Sequence, residues 1–271
     1  MKKQEYKILV NGAAGKMGRA MGGGIAQEAD MRIVAAVDIK GAGTDFGLLA
    51  GLDPLGVLVE DDLEKAILAL PLEEKPDVMI EFTNANVVLR NVRVALAHGI
   101  ACVIGTTGLS EEQIKEIETL AKLANTPVFL APNFALGAVL MMRFAKEAAV
   151  YFPHVEVIER HHDQKLDAPS GTAATTLEMI AEVREVFSQG AANEFEKIPG
   201  SRGGDYQGMR VHSVRLPGYV ASQEVIFGGL AQRLVISHDT ISRDSFLPGV
   251  LLAIRKVLDL DGLTCGLEKI M

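Results

Sequence analysis

Lys7-Ile8-Leu9-Val10, then Gly12-Ala13-Ala14-Gly15-Lys16-Met17-Gly18, then Arg32-Ile33-Val34-Ala35-Ala36-Val37-Asp38 decide how this chain folds. The first and last pieces are short apolar runs, the pattern of strands buried on both faces. Between them a glycine turn opens a helix through about Glu28, although Gly22-Gly23-Gly24 weakens it. Strand, glycine turn, helix and strand within about 30 residues make a βαβ unit.

Outward from that unit the alternation continues. Leu63 to Leu70 reads as a helix and Asp77 to Phe82 as a buried strand. A helix over Asn86 to His98 stops at Gly99, where glycine supplies a left-handed cap. Ala101 to Ile104 is the next strand, and Ser110 with Gln113 forms a capping box for another helix. Pro127 to Ala131 completes the series. The expected fold class is α/β, a Rossmann-like doubly wound parallel sheet. Beyond Asn133 the style changes to α+β. A helix from Gly137 to Tyr151 precedes a strand from Val155 to Glu159, then a helix from Ser170 to Ser188 and a loop from Gln189 to Gly208. Strands over Val211 to Arg215, Gln223 to Phe227 and Gln232 to His238 predict a second, mainly antiparallel sheet. A last helix over Ser245 to Asp259 is expected to pack on the first domain. The expected domains are therefore residues 1–132 with 241–271, of dinucleotide-binding type, and 133–240.

Composition narrows the function. The 271 residues are 48% hydrophobic and 23% charged, ordinary for a globular protein. No apolar run reaches the roughly 18 to 20 residues of a membrane span, so no membrane partner is expected. The polar start Met1-Lys2-Lys3-Gln4 argues against a signal peptide. Cys102 and Cys265 lie far apart with no metal-ligand spacing, so no metal site and a reducing cytoplasm are the simplest reading. A net charge of −8 and the absence of Trp argue against nucleic acid. A local cation cluster still binds a small anion, because distant charges are screened.

The motifs point to a nucleotide and an anion. Gly12, Gly15 and Gly18 are spaced G-x-x-G-x-x-G rather than G-x-G-x-x-G. Placed between a strand and a helix, they still let backbone approach a pyrophosphate. A tight turn without a ligand is the plainer alternative. Asp38 follows the second strand, twenty residues after Gly18, where an acid accepts from a ribose. Its plain alternative is an Asx turn. An Asp there favours NADH, whereas Lys16 and Lys40 can offset repulsion of a 2′-phosphate, so NADH and NADPH both remain open. Gly105-Thr106-Thr107-Gly108 and Ala131-Pro132-Asn133-Phe134 follow later strands at their ligand-facing ends. Glu159-Arg160-His161-His162-Asp163-Gln164-Lys165 and Pro169-Ser170-Gly171-Thr172 concentrate imidazoles, a lysine and a helix start. Such a set suits proton transfer and carboxylate binding. Adjacent histidines point to opposite sides of an extended chain, so one faces a site and the other supports it.

The run Glu159-x-His161-His162-x-x-Lys165-x-Asp167-Ala168-Pro169-Ser170-Gly171-Thr172-Ala173 resembles the signature of the dihydrodipicolinate reductase family. The resemblance extends to Gly12-Ala13-Ala14-Gly15-Lys16-Met17-Gly18, to both later loops, and to Val211 through Gly218. It implies a two-domain NADH- and/or NADPH-dependent enzyme of lysine and diaminopimelate biosynthesis that acts on a small dicarboxylate and assembles as a homotetramer. By that resemblance His161 is the proton donor/acceptor and Lys165 a second proton donor. His162, Gly171 and Thr172 bind substrate. Gly12, Ala13, Ala14, Gly15, Lys16, Met17, Asp38, Gly105, Thr106, Thr107, Ala131, Pro132, Asn133 and Phe134 bind cofactor. Lys16 and Asp38 stand where several members carry Arg and Glu. Two other readings are an aspartate- or homoserine-type dehydrogenase, which would not need the His-Lys cluster, and a dinucleotide-binding redox sensor, which would need a partner-binding module.

Overall fold

The computed structural model describes residues 5–271; the polar start Met1 to Gln4 lies outside them. The chain divides into two compact units, one running to Ala135 and resuming over Arg243–Met271, the other Leu136–Ser242.

In the first unit, seven strands build one sheet: β1 (Tyr6–Asn11), β2 (Met31–Val37), β3 (Val59–Glu60), β4 (Val78–Glu81), β5 (Ala101–Ile104), β6 (Val128–Leu130) and β12 (Leu263–Cys265). Their order is β12-β6-β5-β4-β1-β2-β3, and every pair is parallel. The helices are α1 (Lys16–Ile25), α2 (Phe46–Leu49), α3 (Leu63–Leu68), α4 (Val88–Ala97), α5 (Glu111–Ala124) and, from the end of the chain, α8 (Leu247–Val257). This is the doubly wound Rossmann-like sheet that the alternating pattern predicts. Ile8, Leu9, Val10, Met79 and Ile80 are wholly buried, as expected where helices cover both faces. The strand order reverses between β1 and β4, which opens a crevice at their carboxyl ends.

Two of the glycines inside α1, Gly22 and Gly24, have a packing reason. A Cβ on Gly22 would lie 2.3 Å from Phe46 Cζ, and one on Gly24 2.3 Å from Leu247 Cδ2. Phe46 and Leu247 therefore pack where a side chain would stand, which offsets glycine's cost in a helix of about 1 kcal/mol each. The final helix starts at Leu247, later than its apolar pattern suggests, because a 3-10 turn over Arg243–Phe246 leads into it. It packs on β5, β6 and α1. Arg255 ties it to the first βαβ unit through ion pairs with Glu28 and Asp30.

The second unit holds β7 (His154–His161), β8 (Gly204–Tyr206), β9 (Met209–Arg215), β10 (Ala221–Gly229) and β11 (Gln232–Thr240), with α6 (Leu136–Ala149) and α7 (Gly171–Ala181). The sheet order is β11-β10-β7-β9-β8. Three pairs are antiparallel, but β7 and β9 run parallel. Val155, Val157 and Glu159 are buried, while Glu156, Ile158 and Arg160 alternate onto the more open face.

Three sequence expectations change here. The strand expected to end at Glu159 continues to His161, because Ala221 and Arg215 both pair with His161. The helix expected to reach Ser188 stops at Ala181; beyond it Arg184 donates to the carbonyls of Pro153, Gln207 and Phe187 and holds the departing chain. The expected loop from Gln189 to Gly208 contains β8. It joins β9 through Gln207-Gly208, both at positive φ (51° and 79°), the turn that a two-residue hairpin favours.

Candidate active site

The glycine turn lies at the carboxyl end of β1. Gly12 has φ +84°, and a Cβ there would sit 2.7 Å from the carbonyl oxygen of Phe82. A Cβ on Gly18 would sit 2.0 Å from the carbonyl oxygen of Gly12. Any side chain at either position would force the turn off the strand ends. Gly15 is the N-cap of α1 and offers no side-chain cap, so first-turn amides of a ten-residue helix face outward. These amides carry the positive end of the helix dipole. Such a cradle fits a pyrophosphate.

Gly12, Ala14, Gly15, Lys16 and Asp38 line a crevice of about 580 Å³. Asp38 accepts from the amide of Ala14 at 3.0 Å and from that of Lys40 at 2.9 Å. Its carboxylate is therefore both an Asx turn and a clamp on the glycine loop. Ala13 is buried and donates to the Val37 carbonyl at 3.0 Å. Met17 is half-buried beside it in α1. Gly105 to Thr107 and Ala131 to Phe134 lie outside this crevice. Thr106 is buried with its hydroxyl on the Glu81 carbonyl, and Thr107 is exposed. Ala131 donates to the Ile104 carbonyl, Pro132 is exposed, and the Asn133 carboxamide oxygen accepts from the Ala135 amide. The Phe134 ring packs on Phe82 and Phe129 in the core.

Sequence reading missed Glu81. It closes β4 with a fully buried carboxyl. Asn11, Asn91 and both the amide and hydroxyl of Thr83 donate to it. Burial pushes this carboxyl above the usual carboxylate range, against the pull of its donors. Thr83 and Asn91 also line the crevice, so Glu81 fixes its floor. The available signal was an acid inside an otherwise apolar strand, next to Asn11 on the neighbouring one.

In the second unit the extension of β7 settles which histidine faces inward. His161 and Glu159 are two residues apart on one strand and so share a face. His161 Nδ1 lies 2.5 Å from Glu159 Oε2. Arg215 on neighbouring β9 grips both oxygens of that carboxylate, at 2.9 Å and 2.7 Å. The Ser170 amide, at the start of α7, donates to it at 3.2 Å. Burial alone would raise the Glu159 carboxyl, but the hydrogen bonds from His161 and Arg215 hold it at about 2. Arg215 also donates to the carbonyl of Asp167, whose carboxylate pairs with Lys165 Nζ at 2.7 Å. His161, Lys165 and the α7 start thus hang on one network. His162 is exposed on the turn that the Lys165 amide closes onto its carbonyl. At α7 the Ser170 hydroxyl caps Ala173, and nothing lies within 4 Å of a Cβ built on Gly171, which leaves the approach open. Thr172, one residue on, accepts at its carbonyl from the Thr176 hydroxyl.

A family model described as "Dihydrodipicolinate reductase, N-terminus" matches residues 6–134, and its counterpart, "Dihydrodipicolinate reductase, C-terminus", matches residues 137–271. The chain belongs to the dihydrodipicolinate reductase family. A 4-hydroxy-tetrahydrodipicolinate reductase of Desulfitobacterium hafniense is 53% identical over 268 residues, 99% of each chain. One from Moorella thermoacetica is 51% identical over 98% of this chain and 97% of that one. The solved dipicolinate-bound dihydrodipicolinate reductase from Paenisporosarcina sp. TG-14 is 42% identical, with a TM-score of 0.86 over 98% of this chain and 100% of that one. Family membership over the whole length displaces the readings as an aspartate- or homoserine-type dehydrogenase and as a redox sensor. Among the described residues, no helix is long and apolar enough to cross a membrane.

Proposed function

We propose that this chain reduces 4-hydroxy-tetrahydrodipicolinate to tetrahydrodipicolinate, with loss of water and with NADH or NADPH as reductant, on the route to diaminopimelate and lysine. Identity of about half over the full length to reductases of that name carries the reading. When bound, the reduced nicotinamide supplies a hydride. The glycine turn from Gly12 to Met17 and Asp38 hold the dinucleotide, and Gly105 to Thr107 with Ala131 to Asn133 flank its reactive end. Phe134 supports that loop through its packing.

The substrate is a small dicarboxylate, the class to which the dipicolinate of the Paenisporosarcina relative belongs. One carboxylate sits at the start of α7, on Gly171 and Thr172, where the helix dipole favours an anion. His162 contacts substrate from the adjacent turn. Charge that develops at the far end of the conjugated ring system is quenched by a proton from Nε2 of His161. Lys165, a second proton donor, exchanges Asp167 for the substrate. Leu230, Leu234 and Val235 leave apolar surface on the β10–β11 hairpin, which supports a homotetramer built through this sheet. A cytoplasmic location suits the free thiols of Cys102 and Cys265.

The test is a coupled assay in which the upstream synthase generates substrate from pyruvate and aspartate semialdehyde. Synthase-dependent oxidation of NADH or NADPH is expected. A folded protein that binds either cofactor and oxidises neither would refute the reading.

A further inference from the structure

Glu159 lies beside the proposed proton donor without being a candidate for the chemistry itself. It is fully buried, ionised at working pH, and held from three sides. An ionised carboxylate only accepts hydrogen bonds. The 2.5 Å contact therefore requires a hydrogen on His161 Nδ1, and that leaves Nε2 as the nitrogen that exchanges protons with a ligand. Arg215 fixes the carboxylate with both nitrogens of a planar fork, so the acceptor cannot rotate away from the ring. The Ser170 amide binds the same carboxylate, so the start of α7 is placed relative to His161 by one group.

We propose that Glu159, clamped by Arg215, is the positioning residue of this site: it fixes the Nδ1–H tautomer of His161 and sets the distance from the imidazole to the anion-binding start of α7. The proposal rests on the assignment of His161 as proton donor. In each turnover the imidazolium form gives its Nε2 proton to the substrate and becomes the neutral Nδ1–H tautomer, the Nδ1 proton stays on the Glu159 hydrogen bond, and a proton from solvent restores Nε2–H. No net charge moves to Glu159. A buried ion pair that merely closes β7 against β9 would have no reason to include the imidazole.

The first measurement is the 15N NMR spectrum of histidine-labelled wild-type protein, which distinguishes Nδ1–H from Nε2–H in neutral imidazole. Nδ1–H at His161 is expected, and Nε2–H would overturn the proposal whether or not any variant folds. The second compares Glu159→Gln with wild type in kcat, KM and cofactor Kd. The expected result is a fall in kcat on the order of 100-fold or more with cofactor Kd unchanged, and a mixed tautomer in the spectrum. Loss of the orienting carboxylate in a Ser-His-Asp triad, for comparison, costs about 10⁴-fold. A folded E159Q protein with kcat within about twofold and an unchanged tautomer would overturn it. The spectra need no turnover. Wild type inactive on this substrate, yet losing its Nδ1–H tautomer on E159Q, would refute the reaction and support the positioning.

Discussion

Glu81 and Glu159 are the same residue in matching places, each wholly buried near the carboxyl end of a strand, one in either unit. Their carboxyls move in opposite directions. Glu81 is held only by neutral donors, two carboxamides and a threonine, and burial wins. Glu159 meets a guanidinium and an imidazole, and burial loses. Burial sets the penalty for a charge, but the charge of the partners decides its sign. The first unit buries its carboxyl among neutral donors under the crevice. The second keeps a fixed negative charge beside the imidazole of the proposed proton donor.

The largest expected effect comes from taking away the cation. Arg215→Met leaves Glu159 buried without its guanidinium, which should cost roughly 3–5 kcal/mol in urea unfolding. A loss under about 1 kcal/mol would mean that the clamp carries little of the charge balance. Acid comes next. The Glu159 carboxyl drops from 4.5 to about 2 on folding, so its contribution is complete above the unfolded value and fades as pH falls through the folded one. Between pH 6 and pH 3 wild type should lose on the order of 2 kcal/mol that E159Q does not lose. Parallel curves for the two proteins would break the comparison.

Glu81 has the reverse sign. Its folded value is raised, so its contribution is full below the unfolded value of 4.5 and is lost as pH rises through the folded one. Glu81→Gln should flatten the stability curve on the alkaline side, with Asn11 and Asn91 turning their carboxamides to suit. A wild-type curve that is already flat there would show Glu81 ionised like its counterpart. Smallest of all is Arg255→Met, where the ion pairs with Glu28 and Asp30 are partly exposed. It should shift the midpoint by no more than about 1 kcal/mol, and less at high salt. A larger loss would show that exposure does not discount an ion pair in this molecule.

Much of this was legible beforehand, for identifiable reasons. Strands such as Lys7 to Val10 and Ala101 to Ile104 are apolar on both faces, and glycines and caps punctuate them, so the doubly wound sheet follows from pattern. The direction of β9 against β7 did not, because a two-residue period is the same in parallel and antiparallel pairs. β8 escaped because Gln-Gly is a weak form of its turn, and β12 because three residues carry no period. The chemistry proposed for His161 and Lys165 was suggested by their residue types. Their geometry was not, because the end of β7 was placed two residues early, and that register decides what His161 faces. Glu81 and Glu159 were invisible as buried acids, since an acid at a strand end normally reads as reaching water.

The edge strand β12 and helix α8 come from the last 25 residues, yet they cover β6, β5 and α1. During synthesis the first 135 residues emerge with the outer edge of β6 unpaired and one flank of the sheet bare. Everything from Leu136 to Ser242 must follow before that edge is covered. The nucleotide-type unit is thus the first to leave the ribosome and the last to be finished, and an unpaired edge in that interval invites association with other chains.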